Sequence, residues 1–239
     1  MSARLLLQAE NLGKCRTESA EKIFSGLNIR LFEHEVRYIL GKKGSGKTTL
    51  LNVLSGLMPP DEGQVLLGGQ PLTGPAATCS VVWPKQPLLP WLSLGDNLDF
   101  AIRLHHPEWD NERINEQVWR YLSLLEMADK GGSKPAEWPA PVHCRLILAR
   151  AFAVEPCIVF IDEPFSPYDA ASRRCLQQTL QTLLGHRRQT LLLTGQNRAE
   201  ARLLADHISE MNPSGAAGFA RSFDNPDRST SSRRVPLFP

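Results

Sequence analysis

A chain of 239 residues, 42% hydrophobic and 22% charged, is long enough to bury the core of one or two domains. Its formal net charge of +2 supplies no strong field, which argues against nucleic acid or an anionic membrane as a partner. The five cysteines (Cys15, Cys79, Cys144, Cys157 and Cys175) are scattered, odd in number and without C-x-x-C spacing, which fits a reduced compartment.

The opening "MSARLLLQAENL" has too short an apolar stretch, and an acidic Glu10 too early, for a secretory signal. No apolar run approaches the roughly 18 residues that span a bilayer, so a soluble cytoplasmic protein is expected. Short strands are expected at 3–9 and 26–32, leading to "VRYIL", Val36 to Leu40, which ends at a glycine loop. "TTLLNVLSGL" follows with leucines at helical spacing. "PPDEGQVLLGG" reads as turn, strand and turn, and "CSVVW" as a further strand. From Pro84 to about Gly132 the patterns "LGDNLDFAIRL" and "NERINEQVWRYLSLLEM" are helical with no strand signal. "CIVFIDEP" suits a strand covered on both faces, "SRRCLQQTLQTLLGH" an amphipathic helix, and "QTLLLT" one more strand. Strands alternating with helices predict an α/β fold with a parallel sheet. After about Asn212, Pro, Ser, Gly and Arg dominate, and residues 212–239 read as an extended or disordered tail.

Two stretches carry chemistry. "GKKGSGKTT", Gly41 to Thr49, fills every fixed position of G-x-x-x-x-G-K-[ST] between a strand and a helix. Gly41, Gly44 and Gly46 let the backbone N–H groups of the loop, with Ser45 and Thr49, close on phosphate oxygens. Lys47 brings a point charge to the β- and γ-phosphates, Thr48 a hydroxyl for Mg²⁺, and the helix N-terminus a partial positive charge. "CIVFIDEP" ends in Asp162, placed to hold the Mg²⁺ water shell, beside Glu163, placed to polarise an attacking water. ATP and Mg²⁺ are the expected cofactors.

With these residues in view, the chain resembles the ATP-binding subunits of ABC transporters over about residues 3–210. The likeness rests on "GKKGSGKTTLLNVLSGLMPPDEGQVLLGG", "LLPWLSLGDNL", "LARAFAVEP" and "FIDEPFSPYDAASR". "GP" at Gly74–Pro75 followed by "LLPW" resembles the nitrate, sulfonate and taurine importer group. The resemblance implies a P-loop NTPase fold: a RecA-like core, a small antiparallel β subdomain and a helical subdomain at about 84–140, all within an ATP-binding domain of residues 1–211. It also implies a head-to-tail sandwich, each ATP lying between one subunit's P-loop and the other's signature glycines. Asp169 matches the acidic residue of the loop that contacts across that dimer; a plain helix N-cap role is equally open, since "DAASRR" begins a helix.

Several positions depart from the family pattern. Counting back from Leu88, Pro84 falls where a Mg²⁺-ligating glutamine is expected, and Gln86 serves only if the loop bulges. The family's L-S-G-G-Q signature falls on Trp138, Pro139, Ala140, Pro141 and Val142. Pro139 has no hydroxyl for a γ-phosphate, and Pro141 no backbone N–H. Hydrogen bonds to charged groups contribute about 1.5–3 kcal/mol each, so losing two weakens the sandwich roughly a hundred- to ten-thousandfold. Gln196 stands at the switch-histidine position, able to donate to a γ-phosphate but not to carry charge. Near Cys15, where an adenine-stacking aromatic is expected, Arg16 offers a guanidinium plane.

The retained residues are those expected to bind phosphate and Mg²⁺ on this chain's own face; the missing ones are those that complete a partner's site and that sense state. The expected function is the ATPase subunit of an importer for a small anion or organic solute, peripheral on the inner face of the cell membrane. Its partners would be a membrane-spanning subunit, a solute-binding protein and a second, different ATP-binding subunit in preference to a copy of itself. The alternative is a nucleotide-binding pseudo-ATPase with a structural or regulatory role.

Overall fold

The computed structural model describes residues 4–16, 21–83, 87–166, 168–186, 189–212 and 218–226. In chain order they form β1 (Leu5–Cys15), β2 (Lys22–Phe32), β3 (Val36–Leu40), α1 (Lys47–Leu54), β4 (Glu62–Leu67), β5 (Gln70–Pro71) and β6 (Cys79–Val82). There follow α2 (Leu94–His105), α3 (Asn111–Leu124), α4 (Ala140–Ala153), β7 (Ile158–Ile161), α5 (Ala170–His186), β8 (Thr190–Gly195), α6 (Arg198–Leu204), β9 (His207–Met211) and β10 (Phe219–Asp224). The expected strands at 3–9 and 26–32 are the outer parts of a longer antiparallel ribbon, β1 against β2.

Two compact units divide the chain. The first takes its described residues from Met1–Val81, Cys157–Pro164 and Gln189–Arg234. It holds an antiparallel sheet of order β2-β1-β4-β5 and a six-stranded sheet of order β10-β9-β3-β8-β7-β6. In the second sheet β3 runs parallel to β8 and β9, and β7 parallel to β8. Every residue of β3, β7 and β8 is buried. That is why these runs read as continuous apolar stretches rather than alternating ones: each is covered on both faces.

The second unit takes its described residues from Val82–Pro156 and Phe165–Arg188, and holds α2, α3, α4 and α5. Ser93 caps α2 in a capping box with Asp96, and Asp110 caps α3 by accepting from Arg113 N. A fully buried Asn97 ties the loop before α2 to the helix. It accepts from Leu89 N at 2.8 Å and donates to Leu89 O at 3.1 Å and Ser93 O at 2.8 Å. Asn97→Leu keeps a similar volume but leaves Leu89 N–H without its partner, while Leu89 O keeps Leu92 N. Leaving a polar group unpaired costs about 1–3 kcal/mol, so the urea midpoint should fall by the equivalent of about 1 kcal/mol or more.

One expectation needs correction. Sequence alone places Phe219–Asp224 in an extended or disordered tail; the structure pairs it with β9 as the antiparallel edge strand β10. What anchors it lies outside the strand. The fully buried Asn225 donates to Arg202 O and Ala205 O at 2.7 Å each, satisfying carbonyls at the end of α6, and its N–H donates to Asp206 O at 2.8 Å. Residues 213–217 and 227–239 of that segment lie outside the described residues.

Candidate functional site

The site is built at the C-terminal ends of the parallel strands β3, β7 and β8, where such sheets place their ligands. The loop after β3 turns through Gly44 at φ 81° and Gly46 at φ 90°, the latter forming the N-cap of α1. L-residues with a side chain rarely adopt that conformation, and here it folds the loop back over the helix start. Lys47, the first residue of α1, is only 3% exposed. Its ammonium donates to Gly41 O and Lys42 O at 2.9 Å each and lies 2.9 Å from Glu163 Oε1.

Asp162 and Glu163 follow β7 directly. Thr48 Oγ1 donates to Asp162 Oδ2 at 2.8 Å. Thr194, near the end of β8 and 1% exposed, donates to Asp162 Oδ1 at 2.5 Å and accepts from Glu163 N at 3.1 Å. Glu163 is held at φ 40°, a conformation non-glycine residues adopt at a cost and mostly at functional sites. Gln196 Nε2 donates to both of its carboxylate oxygens, at 3.2 and 3.0 Å. The Glu163 carboxylate is therefore gripped from one side by a lysine and from the other by an amide. Behind the site, Tyr38 donates to Glu200 at 3.4 Å; burial first, then the charge of Glu200, push its phenol far above the ordinary range, so it stays a neutral donor.

Gly41, Ser45, Lys47, Thr48, Asp162, Glu163 and Gln196 are thus brought together as one cluster; Thr49 is the third residue of α1. Gln196 meets Glu163 directly. Thr194 is the residue that sequence reasoning missed. Its only signal is a polar residue closing the otherwise apolar "TLLLT", one strand away from Asp162. Gln86 and Pro84 lie outside the described residues. Arg16, beyond β1, lies 3.9 Å from Glu21 with both side chains largely exposed.

The residues fit a nucleotide with its metal ion. The buried Ser45 Oγ has no hydrogen-bond partner among the described residues, a donor left aimed within a glycine cradle. Thr48 and Asp162 together present the hydroxyl and carboxylate oxygens that hard cations prefer.

The stretch 138–142 belongs to the second unit and opens α4. Pro139 is its N-cap, with extended backbone, and Pro141 sits at the second helical position. Both places tolerate proline. Neither residue has an N–H, and Val142 N already donates to Pro139 O at 2.9 Å. Trp138 is engaged locally, its Nε1 donating to Ser133 Oγ at 2.7 Å. Asp169, ahead of α5, accepts from Ser172 N at 2.8 Å, which is N-cap geometry and holds its carboxyl below the usual range.

A parallel-stranded α/β core with a glycine loop leading into α1 and acidic residues after β7 defines a P-loop NTPase. The family model described as "ABC transporter" matches residues 24–166. The nitrate import ATP-binding protein NrtD of Synechococcus elongatus is 30% identical over 200 residues, covering 84% of this chain and 73% of its own. The taurine import ATP-binding protein TauB of Chromobacterium violaceum is 34% identical, with 81% and 74% covered, and the bicarbonate transport ATP-binding protein CmpD of a Synechocystis strain 30% identical, with 86% and 73% covered. A solved dimeric structure titled as a post-hydrolysis state of the ATP-binding cassette MJ0796 bound to ADP and Pi superposes with a TM-score of 0.75 at 21% identity, covering 92% of this chain and 98% of that one. The chain belongs to the ABC transporter family. The resemblance seen in its motifs, and the fold it implied, are borne out. No described helix is long and apolar enough to cross a membrane.

Proposed function

We propose that this chain is an ATP-hydrolysing subunit of an importer for a small anion or organic solute, seated on the inner face of the cell membrane against a membrane-spanning subunit. The observation that carries the reading is the single cluster of Lys47, Thr48, Asp162 and Glu163, every member within hydrogen-bond or ion-pair reach of another. The relatives named for nitrate, taurine and bicarbonate support the class of solute. In this reading residues 1–211 form the ATP-binding domain, with the helical subdomain at about 84–140. ATP lies on α1, its phosphates against Gly41–Thr49, with Mg²⁺ held by Thr48 and Asp162; bound there, the ion neutralises the charge of the transferring phosphate. Glu163 takes a proton from the attacking water, and Gln196 orients it.

The sandwich partner is a second, different ATP-binding subunit with an intact signature. The start of α4 offers a γ-phosphate neither a serine hydroxyl at 139 nor a backbone N–H at 141. A solute-binding protein completes the system. The alternative of a nucleotide-binding role without turnover draws no support from these relatives.

The test is solute uptake and ATP affinity in the complex co-purified with its membrane subunit. Lys47→Ala removes a charge-assisted donor that contributes about 1.5–3 kcal/mol, so ATP should bind roughly 10- to 150-fold more weakly and uptake should cease. Uptake at wild-type rates in that variant would overturn the proposal.

A further inference from the structure

Two cysteines outside the nucleotide site stand against each other. Cys79 begins β6 and Cys157 immediately precedes β7; these strands are neighbours at the edge of the six-stranded sheet. Their sulfurs lie 3.8 Å apart, and Cys157 N donates to Thr78 O at 2.7 Å, fixing the two backbones side by side. Both residues are partly exposed, and both are free thiols. Cys144, by contrast, lies against the Tyr168 hydroxyl rather than a second thiol.

We propose that Cys79 and Cys157 form a redox-active thiol pair, a modification site at which hydrogen peroxide closes a disulfide between the starts of β6 and β7. The sulfurs have only to close from 3.8 Å to a bond of about 2.0 Å, between backbones already tied by the Cys157 N to Thr78 O hydrogen bond. The two thiols divide the labour. A hydrogen bond from the Cys79 thiol favours the Cys157 thiolate and lowers its pKa, while the same contact and burial keep Cys79 protonated. The Cys157 thiolate attacks one peroxide oxygen; the O–O bond breaks, leaving a Cys157 sulfenic acid and hydroxide, which takes up the proton Cys157 had released. The Cys79 sulfur then attacks the sulfenic sulfur, and its proton leaves with the displaced hydroxyl as water. In sum, two thiols and one peroxide give one disulfide and two waters. In a reduced compartment such a bond is transient and regulatory rather than structural. It would close a loop of chain that carries α2, α3 and α4, so it constrains the unfolded state and should raise the melting temperature.

The experiment treats the full-length reduced protein with stoichiometric hydrogen peroxide, then counts thiols and maps peptides without reduction. The five titratable thiols should fall to three, with a Cys79–Cys157 cross-linked peptide that dithiothreitol reverses. The cross-link and the rise in melting temperature should both vanish in Cys79→Ser, Cys79→Ala and Cys157→Ser. Five remaining thiols, a sulfinic or sulfonic acid on Cys157 without the cross-link, or a cross-link through other cysteines would overturn the proposal.

Discussion

Glu163→Gln should cut steady-state ATP hydrolysis by the assembled complex by roughly 10²- to 10⁴-fold, the range for loss of a positioned general base. ATP affinity should not fall. Glu163 leaves the end of β7 at φ 40°, its N–H held by Thr194 and its carboxylate held by Lys47 and Gln196. Glutamine preserves shape and one acceptor oxygen but cannot take a proton from water. It also removes the charge that pairs with Lys47, leaving that ammonium to the phosphates. Phosphate release together with calorimetric ATP titration separates the two effects. Hydrolysis at the wild-type rate would mean that the base is another group.

The double substitution Pro139→Ser with Pro141→Gly should strengthen ATP-driven association of two copies by roughly a hundred- to ten-thousandfold. It restores one hydroxyl and one backbone N–H, each contributing about 1.5–3 kcal/mol toward a charged phosphate. The fold should tolerate the change. Serine is a preferred N-cap where Pro139 now stands without a side-chain cap, and the second helical position has no obligatory requirement for proline. Sedimentation in the Glu163→Gln background, where bound ATP persists, reads the dimer directly. An unchanged monomer in both chains would show that 138–142 does not occupy the signature position.

How much of this was legible in the sequence varies with how local the signal is. Gly41 to Thr49 is readable because strand, glycine loop and helix are contiguous, and each residue type has one physical reason to be there. Asp162 and Glu163 are readable because a continuous apolar run ends at them. Contacts between distant segments are not. Gln196 was expected to reach toward a γ-phosphate, yet it grips Glu163, 33 residues away in sequence and one strand over in the sheet. Thr194 closes the same network with no motif to mark it. β10 was invisible for a related reason: "FARSFD" alternates poorly, and its place depends on Asn225 satisfying carbonyls of α6. The prolines at 139 and 141 were legible as a chemical deficit, since a missing N–H needs no tertiary information.

We propose that this chain keeps a phosphate- and Mg²⁺-binding face of its own and has a deficient face toward a partner's nucleotide. Sedimentation velocity of the isolated Glu163→Gln chain with Mg²⁺ and a fluorescent ATP analogue tests both halves at once. One nucleotide should co-sediment per chain, with the boundary of a monomer. A chain that sediments without nucleotide, or one that dimerises as nucleotide is added, would contradict it.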